Sequence, residues 1–380
     1  MKKNQLVTLG KHIDILSGCP FPSSGFNRNN GVPLIRIRDI LSGKTETYYE
    51  GSYDLKYLIK KGDLLVGMDG DFNREYWKGT DALLNQRVCK ITPNPETLDK
   101  NFLYHFLQKE LDKIHATTDV VTVKHLSVKK IQDIKIRLPS LKEQKRIAAI
   151  LDKADAIRQK REQAIKLADD FLRAKFLEMF GTPANNIHRF PKGTIRDLVD
   201  SVNYGTSAKA SIDSGEYPIL RMGNITYQGR WDFTDLKYLD LSVKEKDKYL
   251  VKEGDLLFNR TNSKELVGKT AVYEEDRPMA FAGYLIRVRP NSIGNNYYIS
   301  GYLNSIHGKI TLMNMCKSIV GMANINAQEL QNIEILIPPK HLQDEYEIIY
   351  KKIKKGLSIY DKSAMQLQLL ASNLSNKYFM

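Results

Sequence analysis

The sequence has few cysteines and no long hydrophobic run. Its three cysteines, Cys19, Cys89 and Cys316, lie far apart without C-x-x-C spacing, so we expect reduced thiols and neither disulfides nor a zinc site. No apolar stretch approaches the roughly 18 residues of a membrane-spanning helix. Met1-Lys2-Lys3 precedes a strand-like segment instead of a secretory hydrophobic region, which predicts a cytoplasmic protein.

Recognisable catalytic motifs are also missing. There is no Asn/Asp-Pro-Pro-Tyr/Phe loop of DNA amino-methyltransferases, no glycine-rich turn for S-adenosylmethionine and no phosphate-binding loop for ATP. The seven histidines show no metal-ligand spacing. The sequence therefore predicts a chain that carries no catalytic site and binds no metal or cofactor.

One acidic group keeps an alternative open. Asp69-Gly70-Asp71 has the composition of half a Mg²⁺ nuclease site, and Asp63 and Asp255 each follow a glycine. A Gly-Asp pair before an apolar run is also typical of a turn into a buried strand, and this interpretation is favoured for Asp63 and Asp255. The position that matches Asp69 in the second half of the chain is Thr261, so a metal role would be confined to one half.

The charge balance is strongly basic. Fifty-eight Lys and Arg residues stand against 44 Asp and Glu, a net charge of +14 spread along the 380 residues. Such a balance indicates a polyanionic partner, and double-stranded DNA fits it better than an anionic membrane surface.

A long helix is predicted from Ser140 to Phe180. Ser140 and Glu143 form a capping box and Gly181 provides the stop, while no Gly or Pro interrupts the segment. At about 1.5 Å per residue such a helix reaches roughly 60 Å, more than a small domain needs. Apolar residues recur at coiled-coil spacing, interrupted by Arg161, and predict a seam that requires a partner: Ile147, Ile150, Ala154, Ile157, Ala164, Ala168 and Phe171.

An internal repeat flanks this helix. PLIRIRDI from 33 matches PILRMGNI from 218, LIKKGDLLV from 58 matches LVKEGDLLF from 250, and IQDIKIRLP from 131 matches LQNIEILIP from 330. Three matches in the same order indicate a duplicated domain of mixed α and β structure.

A second long helix follows the second repeat to the C-terminus, with Gly356 as its weak point. We expect it to pair antiparallel with the first helix, although each helix packing only on its own domain is the alternative. Its predicted seam consists of Ile349, Ile353, Tyr360, Leu367 and Leu374.

Polar loops follow the Gly-Asp-Leu-Leu segment of each repeat and differ between the copies. Arg and Asn suit base edges, and Lys and Thr suit phosphates. Arg36 and Arg221 match in position, which favours either a phosphate contact or a structural ion pair; Tyr48, Tyr49 and Tyr53 either line a groove or cover the domain. The candidate DNA-binding residues are Arg38, Asn73, Arg74, Tyr76, Lys78, Arg221, Asn224, Asn259, Arg260, Thr261, Asn262, Lys264 and Lys269.

These motifs, above all the domain exit IRLPSLKEQKRIAAILDKAD from 136, resemble the specificity subunits of type I restriction-modification systems. The second exit departs from that pattern, with Glu345-Tyr346 where the family has a Glu-Gln pair. The resemblance implies an α+β chain of two tandem target-recognition domains separated by two antiparallel coiled-coil helices with pseudo-twofold symmetry. The expected boundaries are 1–139 and 182–339 for the domains and 140–181 and 340–380 for the helices.

The same resemblance implies a non-catalytic subunit that reads a bipartite DNA target. Two methylation subunits, which carry S-adenosylmethionine, would dock on the helices, and restriction subunits would join the full complex. A stand-alone nuclease using Asp69 and Asp71, and an architectural DNA binder, are the competing hypotheses. Two differently sequenced loops at matching positions favour the reader over the architectural protein.

Overall fold

The computed structural model describes residues 6–118, 124–319 and 321–379. The chain divides into two compact units. Unit 1 contains residues 1–161 and 362–380, and unit 2 contains residues 162–361. This division falls within the two long helices, whereas the boundaries expected from the sequence lie at their ends.

Unit 1 is built from short strands and two helices of its own, and it shares a third, long helix with unit 2. The helices are α1 (Lys100–Ala116), α2 (Val128–Gln132) and α3 (Leu141–Phe180). The strands are β1 (Leu6–Thr8), β2 (Ile13–Ser17), β3 (Phe26–Asn27), β4 (Val32–Ile35), β5 (Tyr48–Tyr49), β6 (Leu58–Ile59), β7 (Leu64–Gly67), β8 (Arg74–Tyr76), β9 (Ala82–Leu84), β10 (Val88–Pro93) and β11 (Lys135–Arg137).

Unit 2 has the same mixed character. Its helices are α4 (Val243–Tyr249), α5 (Asn296–Asn304), α6 (Ile306–Met315), α7 (Ala327–Gln331) and α8 (Lys340–Phe379), the last shared with unit 1. Its strands are β12 (Lys192–Thr194), β13 (Val199–Tyr204), β14 (Tyr217–Leu220), β15 (Lys237–Leu239), β16 (Leu256–Asn259), β17 (Thr261–Asn262), β18 (Thr270–Val272), β19 (Ala280–Phe281), β20 (Leu285–Pro290), β21 (Lys317–Ile319), β22 (Met322–Asn324) and β23 (Glu334–Leu336).

The predicted duplication is confirmed by the sheets. Unit 1 has a four-stranded antiparallel sheet in the order β2-β10-β7-β8, and unit 2 has its equivalent in the order β13-β20-β16-β18. The matching strands β7 and β16 are fully buried, and each follows a Gly-Asp turn. Gly62 and Gly254 have φ values of +90° and +85°, a conformation that favours glycine. The carboxylates of Asp63 and Asp255 then accept the backbone N–H of the residue three positions earlier, each at 2.9 Å, so the turn interpretation is confirmed.

The first long helix has the predicted ends. The hydroxyl of Ser140 accepts the N–H of Glu143 at 3.4 Å, and Gly181 closes the helix with a φ of +66° and an N–H donated to the carbonyl of Leu177 at 2.9 Å.

A buried glutamine ties each long helix to its own domain. The amide of Gln144 donates to the carbonyls of Pro139 at 2.9 Å and Thr97 at 3.0 Å. The amide of Gln343 donates to the carbonyl of Pro338 at 2.9 Å, and to the carbonyl of Ile293, also at 2.9 Å. Gln343 is therefore the counterpart of Gln144, and the expected departure at Glu345-Tyr346 was wrong because it came from an alignment displaced by three residues.

The two long helices pair within each unit. In unit 1, Ile147 and Leu151 of α3 share a core with Phe379 of α8. In unit 2, Phe176 and Phe180 of α3 lie against Tyr346, with ring centroids 5.4 and 5.9 Å apart. The start of one helix meets the end of the other in both cases, so the pairing is antiparallel. Each helix also packs on the domains, because Ile147 and Phe176 of α3 and Tyr346 and Phe379 of α8 belong to the domain cores.

The seam differs from the prediction at Phe171, which is 49% exposed. The buried face follows steps of four through Leu172, Phe176 and Phe180, so the predicted step of three from Ala168 to Phe171 placed Phe171 on the wrong face. Of the remaining predicted residues Ile147 is fully buried and the side chain of Tyr360 lies outside the described residues. The others are half-buried: Ile150, Ala154, Ile157, Ala164, Ala168, Ile349, Ile353, Leu367 and Leu374.

Some seam positions stay half-buried because the helices do not close on each other there. Ala154, Ile157 and Leu367 line a cavity of about 500 Å³ in unit 1. A continuous coiled coil along the full helices remains a prediction.

Candidate nucleic-acid interface

The chain leaves the buried strands β7 and β16 through the same backbone frame. The N–H of Gly67 donates to the carbonyl of Asn73, and the N–H of Asn259 donates to that of Lys269, both at 2.8 Å. The next residue along the chain is Met68 in unit 1 and Arg260 in unit 2. Its N–H donates to the carbonyl of the residue just before the neighbouring strand, β10 or β20, and its carbonyl accepts an N–H from the segment just before a short helix, α2 or α7. The partners of Met68 are Arg87 and Leu126, and those of Arg260 are Tyr284 and Ile325.

This frame places different side chains at equivalent points. We define corner 1 as Met68, Asp69, Arg87 and His125, and corner 2 as Arg260, Thr261, Tyr284 and Asn324. The backbones of Asp69 and His125 form an antiparallel β-bridge, and at the equivalent position Thr261 pairs with Asn324 between β17 and β22. The two corners therefore have a common backbone and different chemistry.

Corner 1 is a charged cluster. The Nδ1 atom of His125 lies 2.6 Å from a carboxylate oxygen of Asp69, and the Nε of Arg87 lies 3.3 Å from the other oxygen. The side chains of His125 and Arg87 are more than half exposed, whereas Asp69 is only 23% exposed. The carboxylate thus holds two solvent-facing donor groups in place.

Corner 2 is built around a guanidinium group. The Arg260 guanidinium lies 4.9 Å from the ring centre of Tyr204, and one Nη donates to the Oδ1 of Asn324 at 3.2 Å. Tyr204 and Tyr284 are 43% and 55% exposed. An arginine, an amide and two tyrosines therefore share one accessible surface, and these groups suit base edges and phosphates.

A short turn containing the matched arginines lies beside each corner. A Cβ on Gly67 would meet Ile37 at 3.0 Å, which places the 36–39 turn against the end of β7. In unit 2 the Lys269 amine donates to the carbonyl of Met222 at 2.8 Å and holds the 221–224 turn in the same way.

The arginines of these turns have different environments. Arg221 forms an ion pair with Asp235 at 2.8 Å and also donates to the Asp235 carbonyl, which favours the structural role left open by the sequence. Arg36 and Arg38 are exposed, and Arg38 lies 3.7 Å from Asp39. Arg38 thus remains available to a phosphate, whereas Arg221 is already engaged.

Three candidate residues in unit 1 are held by protein contacts. The Arg74 guanidinium stacks 3.4 Å from the ring centre of Tyr104. Tyr76 stacks on the same ring and donates its hydroxyl to Asn101 at 3.0 Å, while burial raises the pKa of its hydroxyl above the usual range. Lys78 is exposed and forms an ion pair with Glu75 at 3.2 Å. Arg74 and Tyr76 thus pack on α1, because β8 returns along β7. A DNA contact by either half-buried side chain stays a prediction.

Four candidates in unit 2 are buried and structural. Asn224 donates its amide to the carbonyls of Asp232 and Asp235 at 2.8 and 2.9 Å. Asn259 and Thr261 lie in buried strand positions. Burial lowers the pKa of Lys269, whose amine is directed at Met222. The prediction of DNA contacts by these four side chains is corrected, because none of them reaches the surface.

Besides Arg38 and Lys78, four candidates stay accessible in whole or in part: Asn73 and Asn262 are half-buried, Lys264 is exposed and Arg260 occupies corner 2. The sequence did not indicate four polar corner residues, Arg87, His125, Tyr284 and Asn324, or Tyr204, which packs against corner 2. These residues come from segments far apart in the chain, so the only signal in the sequence is the spacing between the two repeats. Asn324 follows His125 by 199 residues, and the third pair of matching motifs, from 131 and from 330, has the same spacing.

The acidic alternative receives no geometric support. Asp69 is engaged by Arg87 and His125, and Asp63 and Asp255 form ion pairs with Lys90 and Arg289. Across residues 6–118, 124–319 and 321–379, no group of three His, Cys, Asp or Glu side chains is arranged to hold a metal ion.

Fold and surface together define a class of protein: a duplicated α+β module with one polar corner per copy and two shared long helices. The family model for the type I restriction modification DNA specificity domain matches residues 1–167 and 190–371, so the chain belongs to this family. The identification as a type I specificity subunit is thereby confirmed.

Relatives and structures agree with this assignment. The chain is 29% identical to the type I restriction enzyme EcoBI specificity subunit of Escherichia coli, covering 97% of this chain and 82% of that protein. It is 23% identical to the EcoKI specificity subunit of Escherichia coli K12, with 92% and 80% covered. The crystal structure of a type I system S subunit from M. genitalium has the same fold, with a TM-score of 0.66 at 14% identity over 98% of this chain and 95% of that one.

The described helices include none that is both long and apolar enough to cross a membrane.

Proposed function

We propose that this chain is the DNA-reading subunit of a type I restriction-modification complex and that each unit reads one half of a bipartite, asymmetric target. The observation that carries the proposal is the pair of corners, in which one backbone frame presents an Asp-His-Arg cluster in unit 1 and an Arg-Asn-Tyr cluster in unit 2. Side chains that differ on a common frame suit the reading of two different sequences, because base edges are distinguished by their donors and acceptors.

The net charge of +14 supports the same function. Phosphate contacts by Lys and Arg release counterions, so affinity for DNA falls as salt rises. Exposed basic groups near the corners, Arg36 and Arg38 in unit 1 and Lys264 in unit 2, suit this positioning role.

The long helices supply the remaining parts of the proposal. We infer that they set the distance between the half-sites and dock two methylation subunits, which bind S-adenosylmethionine and methylate adenine. Restriction subunits complete the nuclease form, and the complex acts on DNA in the cytoplasm. The chain itself has no catalytic role and binds no cofactor.

Methylation mapping tests the function. The chain is coexpressed with its methylation subunit in cells that lack other adenine methylation, and modified sites are mapped across the genome. We expect two short specific blocks separated by unspecified bases, and no methyl transfer by the purified chain alone. A single contiguous motif would count against one half-site per unit.

Replacing residues 68–79 provides the matched control. These residues contain part of corner 1, so a replacement from another specificity subunit is expected to change one half-site and leave the other intact. A simultaneous change in both half-sites would contradict independent reading by the two units.

A further inference from the structure

We propose that Arg260 reads a guanine in the half-site of unit 2 and that Tyr204 and Asn324 are positioning residues for its guanidinium group. This inference rests on the proposed function, since it names the base that one corner recognises.

The guanidinium is held from two sides. Its centre lies 4.9 Å from the ring centre of Tyr204, within the distance of a cation–π contact, and one Nη donates to Asn324 at 3.2 Å. The Nε is buried, so the stem is enclosed while the end of the side chain faces Asn324 at the surface. Two separate contacts therefore fix the plane of the group.

The supports are themselves anchored. Arg260 donates its N–H to the carbonyl of Tyr284 at 3.0 Å, and its own carbonyl accepts the N–H of Ile325 at 2.9 Å. The hydroxyl of Tyr204 accepts the N–H of Ala327 at 2.9 Å. Because the backbone and the platform are both fixed, the side chain loses little conformational freedom when it binds, and this preorganisation favours a directional contact.

The free donors of the group match guanine. Among the described residues, Nη1 and the second hydrogen of Nη2 form no hydrogen bond, and no carboxylate forms an ion pair with Arg260. Arg221, Arg230 and Arg289 in the same unit are instead paired with aspartates. Guanine presents two adjacent acceptors, O6 and N7, in the major groove, whereas adenine presents one acceptor beside a donor. A fork of two N–H groups therefore favours guanine.

The repeat confines this preference to one half-site. The residue equivalent to Arg260 in unit 1 is Met68, which is only 7% exposed and belongs to the core. Corner 1 must use Arg87 or His125 from neighbouring segments, so its geometry differs.

The experiment uses the specificity subunit in complex with its methylation subunits and measures its binding to DNA duplexes that carry the mapped site. Each base pair of both half-sites is replaced in turn. Arg260→Lys retains the charge and removes the fork. We expect it to abolish a guanine preference of about tenfold to a hundredfold at one position, with the other half-site and the salt dependence unchanged.

The positioning residues are tested in the same assay. Tyr204→Ala is expected to weaken the guanine preference, whereas Tyr204→Phe is expected to retain most of it because the ring remains. In the Arg260→Lys background, Tyr204→Ala is expected to have no further effect on the base preference. Arg277→Lys is the matched control, since Arg277 also stacks on an aromatic ring, that of Phe233. Arg277 comes shortly after Tyr273, whose N–H donates to the carbonyl of Asp255 at the start of β16, whereas corner 2 lies at the end of that strand.

Three outcomes overturn the inference. A uniform loss of affinity for every base, with no change of base preference, would identify a phosphate contact. Unchanged binding would remove Arg260 from the interface, and a lost preference for another base would refute the guanine assignment. These results differ from failure of the proposed function, in which the unaltered complex itself would lack a bipartite preference.

Discussion

Asp63 and Asp255 occupy the same turn in the two units but differ in their surroundings. Asp255 is buried and holds Arg289 through two hydrogen bonds at 2.8 and 3.1 Å, with Arg287 at 3.9 Å. Asp63 forms a partly exposed ion pair with Lys90 at 3.0 Å. The shared aspartate thus terminates the turn in both copies, and in unit 2 it also compensates buried positive charge.

Asp255→Asn is therefore expected to destabilise the protein far more than Asp63→Asn. Loss of one partner of a buried pair costs about 3–5 kcal/mol, whereas a partly exposed pair contributes about 1 kcal/mol or less. Urea denaturation of the full chain measures the difference as a shift of the midpoint. Equal effects of the two substitutions would contradict the role of Arg287 and Arg289, and loss of target methylation without loss of stability would point to a functional carboxylate.

At the scale of elements, two helical glycines show how the long helices are packed. Gly301 lies in α5, and a Cβ there would meet Phe176 at 2.6 Å and Tyr346 at 3.0 Å. Gly301 thus allows α5 to approach both long helices closely. Gly356 in α8 has open space around it, because no atom lies within 4 Å of its ideal Cβ position.

We expect Gly356→Ala to stabilise the protein by up to about 1 kcal/mol, because alanine loses less backbone entropy in a helix. Gly301→Ala is the matched control in unit 2 and is expected to destabilise by about 1–3 kcal/mol through overpacking. Thermal unfolding of both variants provides the measurement. A destabilising Gly356→Ala would contradict the open space around this position of α8.

For the whole molecule, the proposed function makes the spacing of the half-sites a property of the two long helices. The division between the units falls after Arg161 in α3 and after Asp361 in α8. One heptad inserted at both points adds about 10 Å of helix at 1.5 Å per residue. We expect the unspecified spacer of the target to lengthen by about three base pairs at 3.4 Å each, with both half-sites retained.

Methylation mapping of the double insertion measures the spacer. Insertion into α3 alone is the control, since it shifts α3 relative to α8 and is expected to weaken assembly without producing a new defined spacer. An unchanged spacer in the double insertion would reject the idea that the helices determine the distance.

Local signals in the sequence determined much of this protein. The Gly-Asp turns, the capped ends of α3 and the duplicated strands follow from short-range preferences and hydrophobic periodicity, which act within a few residues. The repeat then predicted the two-domain architecture and, together with the domain-exit motif, the family. These features needed no knowledge of what packs against them.

Tertiary structure alone decided which polar side chains face the solvent. Arg74, Tyr76, Asn224 and Lys269 have the composition of a DNA-binding surface. Arg74 and Tyr76 instead pack on α1, and Asn224 and Lys269 donate hydrogen bonds to backbone carbonyls in turns. The corner residues were hidden because they meet through hydrogen bonds between segments far apart in the chain. Exposure and proximity depend on such long-range packing, so the sequence could predict that the chain reads DNA but not which side chains are placed to do so.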